Sequence, residues 1–418
     1  MDIKNQIINI AKDAQEAFRV SLGLTMQIKN KVLKEMADAL LHNKVNIIRE
    51  NQKDLKNAVK LKMAAAFIDR LTLTEKTILQ MSDSLREIAA LPDPIGETIK
   101  SWRRPNGLFI KKVRVPIGVI AIIYESRPNV TSDCVGLCFK SGNSVILRGG
   151  SEALNSNLSI YKTLKAVLHK NKVSDGLVNM ITTTDRKAID VLVKLNDYID
   201  LVMPRGGEGL IKKVVSLSHV PVIKHYKGVC YVYVDKEADL KKAVEICYNA
   251  KVQRPGVCNA MEGMLVHKDI ANKFLPLIAA RFETAGVLMR GCALTQKIIE
   301  GVQKATEKDY RTEYLDLILS VKVVKDLSEG IYHINTYGSH HSDTIVTEDG
   351  KAALEFLKYV DSACVYQNAS TRFTDGNQFG LGAEIGISTD KLHARGPMGL
   401  EELTTYKYTI FGTGQVRK

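Results

Sequence analysis

The sequence predicts an α/β protein built from two successive sheet domains. Three observations carry this. Short β-branched runs alternate with helical stretches through most of the chain, the pattern of parallel strands joined by crossover helices. The alternation falls into two series, one over residues 117–203 and one over 229–366. The 418 residues also exceed what one hydrophobic core normally supports, so two or three domains are expected.

Residues 1–95 read as helices, because Ile7, Ile8, Ile10, Ala11, Ala14, Ala17 and Phe18 recur at three- and four-residue spacing. Leu91-Pro92-Asp93-Pro94 ends that region. Pro105-Asn106-Gly107 then forms the turn of a hairpin between 99–102 and 108–111. The first series places strands at 117–124, 144–147, 176–181 and 199–203, and the second at 229–234, 264–267, 321–324, 344–346 and 363–366. The tail, 404–411, is a β-branched and aromatic strand with no evident partner in its own chain. An orphan strand and a protruding hairpin together point to exchange between subunits. The expected division is a cofactor domain over 1–97 and 117–228, a catalytic domain over 229–389, and a small β oligomerisation arm over 98–116 and 390–418.

Composition narrows the function. With 45% apolar and 25% charged residues the chain is that of an ordinary soluble globular protein. The longest apolar run, 117–124, is too short to span a membrane, and the N-terminus lacks the apolar stretch of a signal peptide. A cytoplasmic home is the default. Seven cysteines form an odd, scattered set without a CxxC pair, against both a disulfide framework and zinc. His340-His341 has no partners at metal-ligand spacing, so no metal is expected. The net charge of +13 contains no lysine or arginine run longer than two, unlike the stripe of a nucleic-acid module. A diffuse positive field suits small anions better.

Gln253-Arg254-Pro255-Gly256-Val257-Cys258-Asn259-Ala260 is the most informative segment. It sets one cysteine on a bent loop between a helix over 238–250 and the strand at 264–267. A sulfur presented there reads as a nucleophile. Arg254 supplies the cationic surroundings that favour thiolate, and Asn259 offers a hydrogen-bond donor. The alternative is a buried structural cysteine. Two loops offer helix N-termini to an anion: Arg148-Gly149-Gly150-Ser151-Glu152 after the strand at 144–147, and Arg205-Gly206-Gly207-Glu208 after 199–203. Glycines let the backbone approach a phosphate and the arginines add charged forks. Gly380-Leu381-Gly382, with Gly386, imitates a dinucleotide fingerprint but follows the second sheet, and is a decoy.

Three stretches resemble the gamma-glutamyl phosphate reductases of the aldehyde dehydrogenase superfamily. They are the cysteine segment, Val113-Arg114-Val115-Pro116-Ile117-Gly118 on to Glu125-Ser126-Arg127-Pro128-Asn129, and Asn368-Ala369-Ser370-Thr371-Arg372 on to His393-Ala394-Arg395-Gly396-Pro397. The resemblance implies an aldehyde-dehydrogenase-like fold, with a Rossmann-type cofactor domain. It implies NADPH-dependent reduction of L-glutamyl 5-phosphate to L-glutamate 5-semialdehyde and phosphate, through a cysteine thioester, in proline biosynthesis. It carries the nucleophile to Cys258 and the oxyanion-stabilising amide to Asn129, although Asn129 also fits a helix N-cap. It places Arg148, Gly149, Gly150, Arg205, Gly206, Gly207 and Glu313 against NADP(H), with Asp316 the rival of Glu313. Ser370, Thr371 and Arg372 fit a substrate anion or a structural turn. His393 and Arg395 receive no role. Arg148 favours NADP over NAD, whereas Glu152 argues the other way. The family further implies a homodimer or tetramer and leaves a glutamate 5-kinase partner open.

One departure is informative. Aldehyde dehydrogenases that hydrolyse their thioester carry a glutamate base on a segment shortly before the cysteine, and the matching stretch here, 222–228, has no carboxylate. Hydrolysis needs an activated water, whereas exchange with phosphate does not. The rival functions are an acid-forming aldehyde dehydrogenase and a basic RNA-binding protein on an inactive dehydrogenase fold.

Overall fold

The computed structural model describes residues 2–417, and the chain divides into two compact units. The first comprises Met1–Lys224, Gly380–Gly386 and Met398–Lys418, the second His225–Phe379 and Ile387–Pro397.

Five helices open the first unit: Ile3–Ser21, Met26–His42, Lys44–Lys60, Ala65–Leu71 and Glu75–Ala90. Ile7, Ala11, Ala14 and Ala17 form the buried stripe of the first, as their spacing requires. Thr25 caps the second by accepting from the Ile28 amide, and Thr74 and Thr77 form a reciprocal capping box on the fifth. The hairpin is β1 (Thr98–Arg103) and β2 (Phe109–Pro116). Then follow β3 (Val119–Tyr124), β4 (Ser144–Arg148), β5 (Val178–Met180) and β6 (Leu201–Arg205). These four pair in parallel in the order β5-β4-β3-β6. All six residues of β3 are buried, which a strand covered on both faces demands.

The second unit holds a seven-stranded parallel sheet. Its strands are β7 (Cys230–Val234), β8 (Met261–His267), β9 (Leu288–Gly291), β10 (Gln303–Lys304), β11 (Ile318–Val324), β12 (Ser342–Val346) and β13 (Cys364–Gln367). Their order is β10-β9-β11-β8-β7-β12-β13. The edge strands β9 and β10 have four and two residues, too short to leave a periodic pattern, and sequence reading missed them. β8 begins at Met261, three residues before the expected start, because a buried Glu262 interrupts its apolar run. A short antiparallel pair, β14 (Ile387–Ser388) with β15 (Gly396–Pro397), completes the unit.

The tail is where expectation and structure part. β16 (Thr404–Phe411) lies antiparallel to β2 of the same chain, from Thr404 opposite Pro116 to Phe411 opposite Phe109. The strand therefore has a partner in its own chain, which overturns its reading as an orphan exchanged between subunits. The hairpin's second strand has two edges, and β1 uses only one of them. Whereas 390–397 fall in the second unit, hairpin and tail strand form a three-stranded sheet of their own, in the order β1-β2-β16, within the first unit's residues. Arg114 ties them together with ion pairs to Glu97 at 2.9 Å and Glu401 at 3.0 Å. Among the described residues no helix is long and apolar enough to cross a membrane.

Asn143 anchors the root of the tail. It is 1% exposed, donates to the Leu403 carbonyl at 2.8 Å and accepts from the Gly118 amide at 2.9 Å. Asn143→Ala strands both groups and is expected to cost about 1–3 kcal/mol of stability, read by chemical denaturation. A loss under about 0.5 kcal/mol would mean that the β2 ladder alone holds the tail.

Candidate active site

Parallel strands bring their entering loops to one edge of a sheet. In the second unit the segments before β7, β8, β11 and β12 hold Gly228, Cys258, Glu313 and His341 respectively. Cys258 is a free thiol, half-buried, on the loop between the helix Leu240–Val252 and β8. The other six cysteines also form no disulfide, and burial pushes the thiols of Cys134, Cys138, Cys230 and Cys247 up, so they are poor nucleophiles.

The main chain at Cys258 is held from behind. Gly228 packs so closely that a Cβ there would lie 1.8 Å from the Cys258 carbonyl oxygen, and only glycine fits. The Cys230 thiol donates to that same carbonyl at 3.2 Å. The Gly228 amide in turn donates to Glu313 Oε1 at 2.9 Å. Glu313 and the nucleophile loop are therefore linked through one glycine. The segment carrying that glycine, 225–228, contains no carboxylate.

On the other side the turn after β13 braces the loop. Thr371 is fully buried and donates its hydroxyl to the Asn259 carbonyl at 2.7 Å. Asn259 is 5% exposed and donates its amide to the Thr374 carbonyl at 2.8 Å. Arg372 reaches Gln253 Oε1 at 2.8 Å through Nε and donates through a second nitrogen to Asn259 Oδ1. Behind them Ser342, Thr374 and Tyr366 join hydroxyls at 2.7 Å. Two readings change as a result. Thr371 has no surface to offer a substrate, and Asn259 spends its donor on Thr374 rather than on a ligand. Ser370 is 5% exposed and its hydroxyl accepts from the Arg372 amide, which makes it the cap of this turn. Arg372 remains: burial lowers its pKa first, the neighbouring Arg254 charge lowers it further, and Cys258 opposes both. Arg372 therefore feels both the Arg254 charge and the Cys258 thiol.

His393 has a left-handed backbone at φ 67°, and Arg395 pairs with Asp361 at 2.9 Å, as Lys391 does at 2.7 Å. Arg395 thus acts as a clamp on the segment that carries β14 and β15.

In the first unit, Asn129 stands at the N-cap of the helix Val130–Lys140 but makes no side-chain capping bond. Arg148 is 7% exposed and donates to the Gly149 and Thr184 carbonyls at 3.0 and 3.2 Å. A Cβ at Gly149 would strike the Asn157 amide, and one at Gly150 the Glu152 carboxylate. Glu152 Oε1 accepts from the Ser126 amide at 2.8 Å and the Ser126 hydroxyl at 3.1 Å. In the second loop Arg205 donates to the Ile385 carbonyl, which gives the decoy glycine segment a structural purpose. The Gly207 amide donates to Glu125 Oε2 at 3.0 Å, and a Cβ on Gly207 itself would meet nothing within 4 Å. A carboxylate thus already occupies part of the anion position at this helix N-terminus, which sequence reading missed.

Comparison with known proteins decides the family. The model of the aldehyde dehydrogenase family matches residues 3–290. A gamma-glutamyl phosphate reductase of Thermodesulfovibrio yellowstonii is 56% identical over 418 residues, covering 100% of each chain. The crystal structure of gamma-glutamyl phosphate reductase from Thermotoga maritima matches at a TM-score of 0.96 and 47% identity, over 99% of this chain and 100% of that one. The chain belongs to the aldehyde dehydrogenase family, among the gamma-glutamyl phosphate reductases. An acetylating aldehyde dehydrogenase of Geobacillus thermoglucosidasius, 18% identical, shares the fold at a TM-score of 0.71, over 100% of this chain and 98% of that one. Sequence reading of this family member missed Gly228, Cys230 and the Glu313 link, because each is defined by a partner far along the chain.

The Gly228 contact is testable without knowing the substrate. Gly228→Ala is expected to displace the nucleophile loop and change the alkylation rate of Cys258 by about tenfold or more. Gly350→Ala, where a Cβ meets nothing within 4 Å, should leave it unchanged. Equal rates in both variants would show that the loop does not depend on Gly228.

Proposed function

We propose that this enzyme reduces L-glutamyl 5-phosphate to L-glutamate 5-semialdehyde, the proline-biosynthetic reaction that the names of its relatives imply, through a thioester on Cys258 and with NADPH as reductant. The observation that carries the reading is a half-buried thiol whose main chain is gripped by a segment that lacks a carboxylate. The Cys258 sulfur forms a bond to the acyl carbon, and the carbon–oxygen bond to phosphate breaks, phosphate leaving with the electron pair. The guanidinium groups of Arg254 and Arg372 stabilise the anionic acyl phosphate and its leaving group. NADPH, when bound, supplies the hydride that the thioester carbon accepts. The carbon–sulfur bond then breaks, releasing the aldehyde and restoring the thiolate. No step requires an activated water, in keeping with 225–228.

The family resemblance assigns the oxyanion-stabilising amide to Asn129, whose side-chain N–H2 is the donor that role requires. For the cofactor, the family resemblance assigns Glu313 to the nicotinamide ribose and residues 148–150 and 205–207 to the remainder, with Arg148 and Arg205 shaping those loops through backbone carbonyls. NADP over NAD rests on the family resemblance, since Arg148, the residue read as favouring it, is 7% exposed and donates to the Gly149 and Thr184 carbonyls. A homodimer or larger homo-oligomer is also proposed. The three-stranded sheet leaves Tyr406, Tyr408, Ile410 and Phe411 exposed, a patch of the kind that meets a second copy.

Aldehyde oxidation should be phosphate-dependent, and Cys258→Ala should lower kcat by roughly 10⁴-fold or more with an unchanged circular-dichroism spectrum. Oxidation that proceeds equally well without phosphate would establish the acid-forming alternative. A wild-type kcat/KM that favours NADH over NADPH would refute the cofactor assignment.

A further inference from the structure

Lys251 and Glu262 form an ion pair at 2.7 Å whose side chains are both 0% exposed. Burying two charges is costly, and an apolar pair of the same volume is often as stable or more so, so stability alone does not account for it. The second oxygen of Glu262 shows what the pair does. Oε1 accepts from the Leu315 amide at 3.1 Å. Leu315 has φ +55°, a left-handed conformation unfavourable for leucine, and its side chain is 43% exposed, so burial does not hold it there. The other end of the same loop is gripped by Tyr231, whose hydroxyl donates to the Tyr310 carbonyl at 2.6 Å. Tyr231 reaches across Gly263, where a Cβ would strike its ring. Glu313 lies between the two grips, and its carboxylate meets the Gly228 amide behind Cys258. Burial pushes the Glu262 carboxyl up, and the Lys251 ammonium opposes that shift.

We propose that Glu262, charge-balanced by Lys251, is a positioning residue for the cofactor: its hydrogen bond to Leu315 holds the strained turn that aims Glu313. The proposal rests on the reading of Glu313 as the group that meets the nicotinamide ribose. Glu262 touches no reacting atom and acts through the turn.

Two double variants separate positioning from mere packing. Lys251→Met/Glu262→Gln removes both charges yet keeps an acceptor for the Leu315 amide, while Lys251→Met/Glu262→Leu removes the acceptor as well. Hydrogen exchange of the peptide containing Leu315 is measured in the cofactor-free protein, with the NADPH Kd by fluorescence titration and Tm as controls. The leucine variant should exchange faster at Leu315 and bind NADPH about tenfold more weakly. The glutamine variant should stay within about twofold of wild type in both. Unchanged exchange and affinity in the leucine variant, with only Tm lowered, would overturn the proposal. Wild-type protein that fails to bind NADPH would instead sink the cofactor reading on which it rests.

Discussion

The Cys258 carbonyl oxygen is the point on which the second unit's chemistry depends. It takes the Cys230 thiol at 3.2 Å and lies so close to Gly228 that no side chain fits there. Gly228 and Cys258 precede adjacent parallel strands, β7 and β8, so strand pairing alone brings their backbones together. The contact fixes the main chain at Cys258. It also joins the nucleophile to Glu313, since the glycine that touches one binds the other. Reactive geometry here is set by backbone and glycine before any catalytic side chain is considered.

A second layer follows from the cost of burying polar groups. Asn259, Thr371, Thr374 and Ser342 are each 5% exposed or less, and each spends its hydrogen-bonding groups on a partner close to the loop. Such a network resists displacement, because moving one member leaves others unsatisfied. Polar residues that look like ligand contacts in the sequence are in this case braces. Of the residues read as functional around this loop, Arg254 is exposed and Cys258 is half-buried.

Much of this fold could be read from the chain itself. Alternating runs located all four strands of the first parallel sheet and five of the seven in the second, and the tail strand's limits were read to the residue. What could not be read depends on distant partners. The pairing of β16 with β2 joins opposite ends of the sequence, and local pattern carries no record of it. Thr371 and Asn259 have residue types equally fit for a ligand or for a backbone carbonyl, and only burial chooses between them. Glu262 did leave a signal: one acid interrupting an apolar strand, which moved the expected start of β8 to Met264. The cysteine loop and the carboxylate-free segment, by contrast, were visible as residues, because their chemistry follows from what they contain.

The central claim is that Cys258 carries the acyl group and that water is not activated to remove it. Mass spectrometry of the protein treated with glutamate semialdehyde and NADP⁺, with phosphate omitted, tests this most directly. A glutamyl adduct confined to the peptide containing Cys258, accumulating without phosphate and discharged when phosphate is added, is the predicted result. Absence of any adduct, with continued turnover to free glutamate, would contradict it.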